Sequence, residues 1–232
     1  MAWECGAIAG SLRPGLVHPI TVTEELTKEA VIALKAGKVI AVPTDTLYGF
    51  ACDACSLGAV NRIYEIKGHQ YTSPLAICVA DVQDIGKLAV TDHLPHCLLD
   101  NLLPGPVTVV LNRGNLSILE KSLNPGLNSI GVRVPDSDFI WSIVRVSGSA
   151  LALTSANLSG KPSSVDIKDF EKLWEHCAYV YDGGVLLSGR AGSTVVDLTS
   201  IGKYKILRPG SAAVETMEVL QRHSLVEDRI AT

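Results

Sequence analysis

The sequence predicts an α/β fold in which a twisted, mixed β-sheet is flanked by helices and holds a polar, concave ligand cavity. Short apolar segments alternate with amphipathic helical segments along the chain, a pattern typical of α/β proteins. Apolar residues make up 47% of the 232 residues and charged residues only 19%, as expected for a sheet covered by helices. Hydroxyl, amide and guanidinium side chains recur at the ends of the predicted strands, which indicates one shared cavity.

A helix and a buried strand are the first predicted elements. Residues 21–24 match a capping box, residues 26–34 carry an apolar stripe at helical spacing, and Gly37 suits the position after the helix. The apolar segment 39–42 then predicts a strand, which ends at Pro43 because proline has no N–H to donate.

Two hydroxyls and a carboxylate follow this strand directly, as Thr44, Asp45 and Thr46. Open α/β sheets bind ligands beyond their strand ends, so these side chains are candidates for a binding site. The same residues also favour an ordinary turn, and this segment alone does not separate the two interpretations.

The next helix is predicted over residues 56–67, and Gly68 ends it. Lys67 lies on the apolar stripe of this helix, seven residues after Val60, where a lysine is unusual. Either Lys67 complements the negative end of the helix dipole, or its side chain reaches the same cavity as Thr46.

Helices and strands alternate over the rest of the sequence. A glycine-rich segment at 183–192 predicts a flexible loop near the site. The predicted helices are 94–103, 138–147, 166–177 and 212–222, and the predicted strands are 107–111, 130–135, 151–157, 193–198 and 206–210.

Cationic and hydroxyl side chains stand beside these strand ends, whereas the glycine-rich nucleotide-binding signatures are missing from the sequence. In the strand 130–135, alternation puts Arg133 on the face opposite to Val132 and Val134, where it is either solvated or turned toward the cavity. The candidate groups are Thr46, Lys67, His69, Ser129, Arg133, Ser155, Ser193 and Arg208.

Such a site suits a reaction in which the substrates bring both the nucleophile and the leaving group. The sequence shows no convincing hydrolytic triad. Attack of an oxyanion on ATP is a reaction of this kind, because its catalysis is mostly positioning and charge stabilisation. Mg²⁺ would then enter with the phosphates and need few protein ligands.

Charge, cysteine and hydropathy patterns limit the other classes of function. The net charge of −4 argues against a general nucleic-acid surface but is compatible with a local basic patch. Six cysteines are too few for a disulfide scaffold, which favours a cytoplasmic protein. Cys52 and Cys55 have CxxC spacing, so they are either small buried thiols or residues with a zinc or redox role. No apolar run approaches the roughly 20 residues that span a bilayer, so we expect no membrane association. Residues 1–15 lack the basic region of a secretory signal, and organelle targeting stays open.

In their combination and order, several motifs resemble the YrdC-type threonylcarbamoyl-AMP synthase family, in its short, single-domain eukaryotic form. We therefore expect an N-terminal extension over residues 1–20, a single YrdC-like domain over 21–222 and a tail over 223–232. The motifs are PTDTLYG (43–49), the Lys67 segment, SPLAI (73–77), LPGPVT (103–108), GVRVP (131–135), LTSANLSG (153–160), GSTVVD (192–197) and LRPG (207–210).

The resemblance implies that ATP, L-threonine and bicarbonate or CO₂ give threonylcarbamoyl-AMP and pyrophosphate. This reaction is the first step of threonylcarbamoyladenosine modification of tRNA. A separate tRNA threonylcarbamoyl transferase complex would use the product, and weak binding of tRNA by this chain stays open.

The resemblance also implies roles for residues at matching positions. Two departures from the family pattern are His69, where arginine is usual, and Ser73, where lysine or asparagine is usual; a histidine is largely neutral at pH 7. The implied catalytic residues are Lys67 and Arg133, the implied threonine-binding residues are Thr46, Arg133, Leu153, Thr154 and Ser193, and the implied ATP-binding residues are Lys67, His69, Ser73, Ser129, Ser155, Asn157, Ser163 and Arg208, with no metal held by the protein itself.

Two other functions compete with this interpretation. A non-catalytic RNA-binding module would use a concave basic surface, but the net charge of −4 and the lack of interleaved aromatic and basic residues count against it. Carbamoyl-adenylate chemistry of the hydrogenase-maturation type would need additional acylphosphatase and zinc-finger segments, which this sequence lacks.

Overall fold

The α/β architecture predicted from the sequence is confirmed, and a mixed, unclosed β-sheet with helices on its faces organises the chain. The structure is a computed structural model that describes residues 15–20, 23–68, 74–114 and 118–228. Within these ranges, no helix is long and apolar enough to cross a bilayer.

The elements of the described ranges are eleven strands, five α-helices and two 3-10 segments. The strands are β1 Leu16–Pro19, β2 Ile40–Pro43, β3 Tyr48–Asp53, β4 Ala76–Cys78, β5 Val107–Asn112, β6 Ser129–Arg133, β7 Leu151–Ser155, β8 Tyr179–Asp182, β9 Thr194–Asp197, β10 Lys203–Arg208 and β11 Val226–Glu227. The helices are α1 Glu24–Lys35, α2 Leu57–Ile66, α3 Leu98–Leu102, α4 Asp138–Ser147 and α5 Ala213–Arg222, and the 3-10 segments are Val82–Lys87 and Ile167–His176.

The strands follow one another across the sheet in the order β1-β8-β2-β3-β7-β4-β6-β5-β9-β10-β11. The sheet contains parallel pairs such as β4 with β6 and β5 with β9, and antiparallel pairs such as β2 with β3 and β5 with β6. This order makes β6, β5, β9 and β10 neighbours although they are far apart in sequence. Polar residues at the ends of these strands are therefore brought together.

Alternate residues of each central strand stabilise two hydrophobic cores on opposite faces of the sheet. Val39 and Ala41 belong to a core that includes α2, α3 and α5, whereas Ile40 and Val42 belong to a second core with α1 and α4. Helices α1 and α4 pack against each other over this second face. Both faces of β2 are thus buried, which explains why its sequence is a continuous apolar run.

The second face of the sheet continues beyond α1 and α4 as the floor of a cavity. Val109, Val132 and Val196 point into the first core, so their neighbours on β5, β6 and β9 point to the opposite face. Those neighbours include Thr108 and Gly131, which line the cavity. One face of the sheet therefore serves both as a helix-covered core and as an open binding surface.

Several predicted elements differ from those in the structure at their ends. The N-cap of α1 is Thr23, whose Oγ1 accepts a hydrogen bond from the Leu26 N–H at 3.2 Å, and the expected cap Thr21 lies outside the described residues. The predicted helix 94–103 is reduced to α3, because Cys97 has a φ of 59°, which an α-helix does not accommodate. The predicted helix 166–177 is a 3-10 segment whose regular geometry breaks at Phe170.

The sequence interpretation missed β3, which follows the turn at residues 44–47 and pairs antiparallel with β2. No element was predicted between the strand 39–42 and the helix 56–67, because the two were taken as a direct β-α succession. Gly49 in β3 lets the neighbouring β7 come close, since a Cβ at this position would lie 2.7 Å from Leu153 Cδ1 and 3.0 Å from the Thr154 carbonyl oxygen. Two further strands, β1 and β11, lie within the expected N-terminal extension and C-terminal tail and extend the sheet at its two ends.

Candidate active site

A cavity of about 610 Å³ lies on the open part of the sheet. It receives residues from the β2–β3 turn, from the end of α2 and from strands β3, β4, β5, β6, β7, β9 and β10. His69 and Ser73 lie outside the described residues. The remaining candidate residues all line this one cavity: Thr46, Lys67, Ser129, Arg133, Leu153, Thr154, Ser155, Asn157, Ser163, Ser193 and Arg208.

Arg133 is buried in the cavity wall and is held by an acid from another strand end. Its Nη2 donates to Asp45 Oδ1 at 2.6 Å and to Thr46 Oγ1 at 3.3 Å. The side chains of Arg133 and Asp45 are only 8% and 9% exposed, so water screens this ion pair weakly. The interpretation of Arg133 as a solvated surface residue is therefore wrong.

The segment after β2 is both a turn and part of the site. Thr44 Oγ1 accepts hydrogen bonds from the backbone N–H groups of Thr46 and Leu47, each at 3.1 Å, and donates to the Leu47 carbonyl at 2.9 Å. This turn orients Asp45 and Thr46 toward Arg133. Asp45 Oδ2 also accepts a hydrogen bond from the Asp136 N–H, which connects the turn to the segment before α4. The two interpretations of this segment were not exclusive.

Lys67 follows the last residue of α2 and is buried, with only 7% of its surface exposed. Its Nζ donates to the Ser155 carbonyl at 2.9 Å and to Asn157 Oδ1 at 2.7 Å. Both partners are neutral. Loss of hydration on burial lowers the pKa of Lys67 to about 8. The side chain thus reaches the cavity, which is the second of the two interpretations given for Lys67 above. It has no carboxylate partner among the described residues.

Arg208 lines the cavity from β10, which lies three strands across the sheet from β6 and Arg133. Its Nη2 donates to the Ser193 carbonyl at 2.9 Å and to Ser193 Oγ at 3.3 Å. Loss of hydration is the main cause that lowers the pKa of Arg208, and repulsion from Arg133 lowers it further. Two guanidinium groups therefore act on the same space, and an anionic ligand between them would reduce their repulsion.

The loop at 183–192 borders the cavity and is fixed at several points. The Tyr48 hydroxyl donates to the Gly184 carbonyl at 2.7 Å, and Ser188 Oγ donates to the Thr46 carbonyl. Arg190 forms an ion pair with Asp169 at 3.0 Å. The predicted flexible loop near the site is thus near the site but is tied to it by side-chain hydrogen bonds.

Thr108 and Asn124 are site residues to which the sequence interpretation gave no role, and it named Asp45 as a candidate without a partner. Asn124 holds the strand edge beside the cavity, because its Oδ1 accepts from the Leu75 N–H at 2.7 Å and its Nδ2 donates to the Leu75 carbonyl at 2.8 Å. It is 4% exposed and has a φ of 57°, which suits asparagine. An Asn-Pro-Gly sequence is the available signal, but it indicates only a turn.

Replacing Asn124 by alanine should lower the free energy of unfolding by about 2–4 kcal/mol. The change leaves the buried N–H and C=O of Leu75 without partners, at about 1–3 kcal/mol for each unsatisfied group. Denaturant unfolding of the variant and the wild-type protein measures the difference. Asn128→Ala, at an exposed position on the same loop, is the control, and equal losses in both variants would contradict the role of Asn124.

The zinc alternative finds no support within the described ranges. No group of three His, Cys, Asp or Glu residues there is arranged to hold a metal ion. Cys52 is fully buried, and burial raises the pKa of its thiol. His93 and His96, whose residue type could supply further zinc ligands beside the CxxC cysteines, contact the Leu198 carbonyl and Cys97 instead. Within these ranges the cysteines are free thiols.

Comparison with known proteins identifies the same family as the sequence motifs. A family model named Sua5_yciO_yrdC, described as telomere recombination, matches residues 32–210. The threonylcarbamoyl-AMP synthase of Bos taurus is 44% identical over 207 residues, which cover 87% of this chain and 74% of that protein. The threonylcarbamoyl-AMP synthase of Homo sapiens is 43% identical over 203 residues, which cover 85% of this chain and 72% of that protein.

A solved structure matches the fold closely. The structure of P. abyssi Sua5 complexed with L-threonine superposes with a TM-score of 0.79 at 30% sequence identity, over 88% of this chain and 60% of that one. The matched residues 32–210 contain the cavity and every cationic side chain described in it. This chain belongs to the Sua5/YciO/YrdC family.

Proposed function

We propose that this chain is a threonylcarbamoyl-AMP synthase, a nucleotidyltransferase that converts ATP, L-threonine and bicarbonate or CO₂ into threonylcarbamoyl-AMP and pyrophosphate. The observation that carries the proposal is the convergence of Lys67, Arg133 and Arg208 on one cavity lined by hydroxyl groups. Relatives that bear this name are 43–44% identical to the chain, and a structural relative was solved with L-threonine.

The proposed roles follow the position of each side chain in the cavity. Arg133, fixed by Asp45, faces the space beside Thr46 and Ser193, whereas Lys67 stands beside Ser155 and Asn157. Threonine would be held by Thr46, Arg133, Ser193 and the backbone of Leu153 and Thr154, and ATP by Lys67, Ser129, Ser155, Asn157, Ser163 and Arg208, with His69 and Ser73 proposed near its phosphates.

The chemistry needs no nucleophile from the protein. The threonine nitrogen bonds to the carbon of CO₂ and loses a proton, which gives a carbamate. A carbamate oxygen attacks the α-phosphorus of ATP, and the bond from that phosphorus to the oxygen of the β-phosphate breaks, so that pyrophosphate leaves. Lys67, Arg133 and Arg208 then contribute by positioning the substrates and by stabilising the negative charge of the phosphoryl oxygens.

Mg²⁺ fits this site as a companion of ATP. Asp45 is already paired with Arg133, and Asp197, an acid that lines the cavity, accepts hydrogen bonds from Thr199 through Oδ1. Mg²⁺ would be ligated mainly by phosphate oxygens and water, and it would neutralise charge on the leaving pyrophosphate.

The fate of the product and the compartment are further proposals. Threonylcarbamoyl-AMP is a reactive mixed anhydride, so we propose that a tRNA threonylcarbamoyl transferase uses it directly and that this chain binds tRNA only weakly.

The free thiols of Cys52, Cys78 and Cys177 are buried in the fold and agree with a reducing compartment such as the cytoplasm.

The affinity for ATP should weaken as the pH rises above about 8, the value to which burial lowers the pKa of Lys67. The protonated lysine attracts the phosphates, and raising the pH through its pKa removes that charge. Calorimetric titration with a non-reactive ATP analogue between pH 7 and 9.5 measures the effect, and we expect a weakening that approaches tenfold per pH unit. The Lys67→Met variant should show weak binding without this dependence, and a wild-type profile in that variant would exclude Lys67 as the titrating group.

Release of pyrophosphate from ATP tests the proposed function. Purified protein should release pyrophosphate only when L-threonine and bicarbonate are both present. Release that does not depend on either compound would exclude the synthase and leave the RNA-binding interpretation to be tested by titration with tRNA.

A further inference from the structure

A pair of buried hydroxyl groups lies at the floor of the cavity, between the two guanidinium groups. Thr108 Oγ1 and Ser193 Oγ are 2.7 Å apart, and the two residues are 5% and 3% exposed. The neighbouring strands β6, β5, β9 and β10 place Arg133, Thr108, Ser193 and Arg208 in this order across the sheet. The proposed function gives Ser193 a partner in threonine but leaves Thr108 without a role.

The hydrogen atoms of this pair are not all satisfied by the protein. Two hydroxyl groups carry two hydrogens, and one of them is used in the bond between Thr108 and Ser193. Ser193 Oγ accepts a further hydrogen from Arg208 Nη2 at 3.3 Å. Whichever hydroxyl donates within the pair, the hydrogen of the other has no acceptor among the described residues. Because a buried donor without a partner costs about 1–3 kcal/mol, a ligand oxygen is expected to accept it.

The surroundings of the pair are small and apolar. Gly131 lies beside Thr108, since a Cβ at Gly131 would be 3.0 Å from Thr108 Cγ2 and 3.8 Å from Ala76 Cβ. Val110 and Val195 line the same part of the cavity. The missing side chain of Gly131 therefore leaves room for a group of about the size of a methyl.

A hydroxyl pair beside an apolar space of this size complements a secondary alcohol, which joins a hydroxyl and a methyl on one carbon. Charged parts of a ligand have stronger partners nearby, because Arg133 and Arg208 flank the pair on the adjacent strands. We infer that Thr108, together with Ser193, binds the β-hydroxyl of the threonine substrate, and that Gly131 makes room for its methyl group. This inference rests on the proposed function and assigns to Thr108 the discrimination against valine, which has the same shape but no hydroxyl.

The wild-type protein should discriminate strongly between these two amino acids. A site built to hydrogen-bond a substrate hydroxyl rejects the analogue that lacks it by up to about 10⁴-fold, because its own polar groups are left unpaired. Titration calorimetry with L-threonine and L-valine, in the presence of a non-reactive ATP analogue, measures the ratio of the two dissociation constants. Equal binding of the two amino acids by the wild-type protein would overturn the inference without any variant.

Thr108→Val keeps the shape of the side chain and removes the hydroxyl. We expect it to weaken L-threonine binding by at least about tenfold, the effect of one lost hydrogen bond, and to leave L-valine binding unchanged or stronger. Thr108→Ser keeps the hydroxyl and should retain the preference for threonine over valine. Thermal unfolding of both variants shows whether they are folded.

The outcomes separate this inference from the proposed function. If the wild-type protein binds neither amino acid and releases no pyrophosphate, the proposed function fails. If it binds threonine but Thr108→Val weakens threonine and valine equally, the pair contacts a group common to all amino acids, and the inference is overturned. As an independent readout, Gly131→Ala should weaken L-threonine more than L-serine, which lacks the methyl group.

Discussion

The double variant Arg133→Met, Asp45→Asn is expected to fold like the wild-type protein and to lose at least about 100-fold in kcat/KM for threonine. Arg133 and Asp45 form a buried ion pair, with 2.6 Å between Nη2 and Oδ1. Breaking such a pair from one side costs about 3–5 kcal/mol because the remaining charge stays buried. Arg133→Met alone therefore combines a loss of activity with a loss of stability.

Replacing both partners removes this ambiguity. The Asp45→Asn change keeps a side-chain oxygen that can accept the hydrogen bond from the Asp136 N–H, and neither substituted position carries a charge that has lost its partner. Exchange of a buried ion pair for neutral groups is often nearly neutral in stability. The double variant thus isolates the contribution of the guanidinium to the reaction.

Steady-state kinetics and denaturant unfolding of the single and double variants measure the two effects separately. The matched control is Arg145→Met, Asp81→Asn, which removes an exposed ion pair of similar length, 2.7 Å, whose side chains are 54% and 40% exposed. We expect the control to keep wild-type activity and stability, since exposed pairs contribute about 0–1 kcal/mol. A double variant with near wild-type kcat/KM would remove Arg133 from the catalytic machinery.

Lys67→Met should lower kcat/KM for ATP by about 100-fold or more and leave the fold intact. The lysine is the one charged donor beside Ser155 and Asn157 in the described part of the cavity, and a buried charge acts strongly on a phosphate. Burial already disfavours its charged form, so its removal costs the fold little. Lys28→Met, at an exposed lysine of α1, is the control.

The stability of the wild-type protein and of the Lys67→Met variant provides a second readout for Lys67. Its pKa is lowered from 10.5 in the unfolded chain to about 8 in the folded protein, so the unfolded state binds more protons between these values. The free energy of unfolding of the wild-type protein should therefore rise with pH over this window, relative to that of Lys67→Met. Parallel pH profiles in the two proteins would show that the lysine is not buried as described.

The sequence was sufficient to predict the parts of the fold that repeat a local pattern. Helix α4 has the predicted bounds, 138–147, because Ser137 caps it and Gly148 ends it in a left-handed conformation. Strand β3 was missed because it follows a turn between two strands, and the residues of this turn are also typical of a loop. The order of the strands was also beyond reach, since it depends on long-range pairings such as β5 with β9.

The candidate residues could be predicted because their motifs carry polar groups at strand ends. The residues that contact them could not be predicted in this way. Asp45 was a binding-site candidate in the sequence, and its 2.6 Å contact with Arg133, 88 positions away, shows which residue it holds. Thr108 sits within an apolar strand, where a threonine is common. Its significance arises from the pairing of β5 with β9, which brings Ser193 within 2.7 Å.

Transfer of labelled carbon from bicarbonate into a nucleotide shows directly whether this cavity makes threonylcarbamoyl-AMP. Purified protein is incubated with ATP, L-threonine, Mg²⁺ and ¹⁴C-bicarbonate, and the products are separated and counted together with the pyrophosphate released. We predict a labelled adenylate that contains threonine, formed in equal amount to pyrophosphate and at a rate at least about 100-fold lower in reactions with the Arg133→Met, Asp45→Asn variant. Pyrophosphate release without label in the nucleotide, or label that the double variant incorporates equally well, would contradict the assignment of this cavity as a threonylcarbamoyl-AMP synthase site.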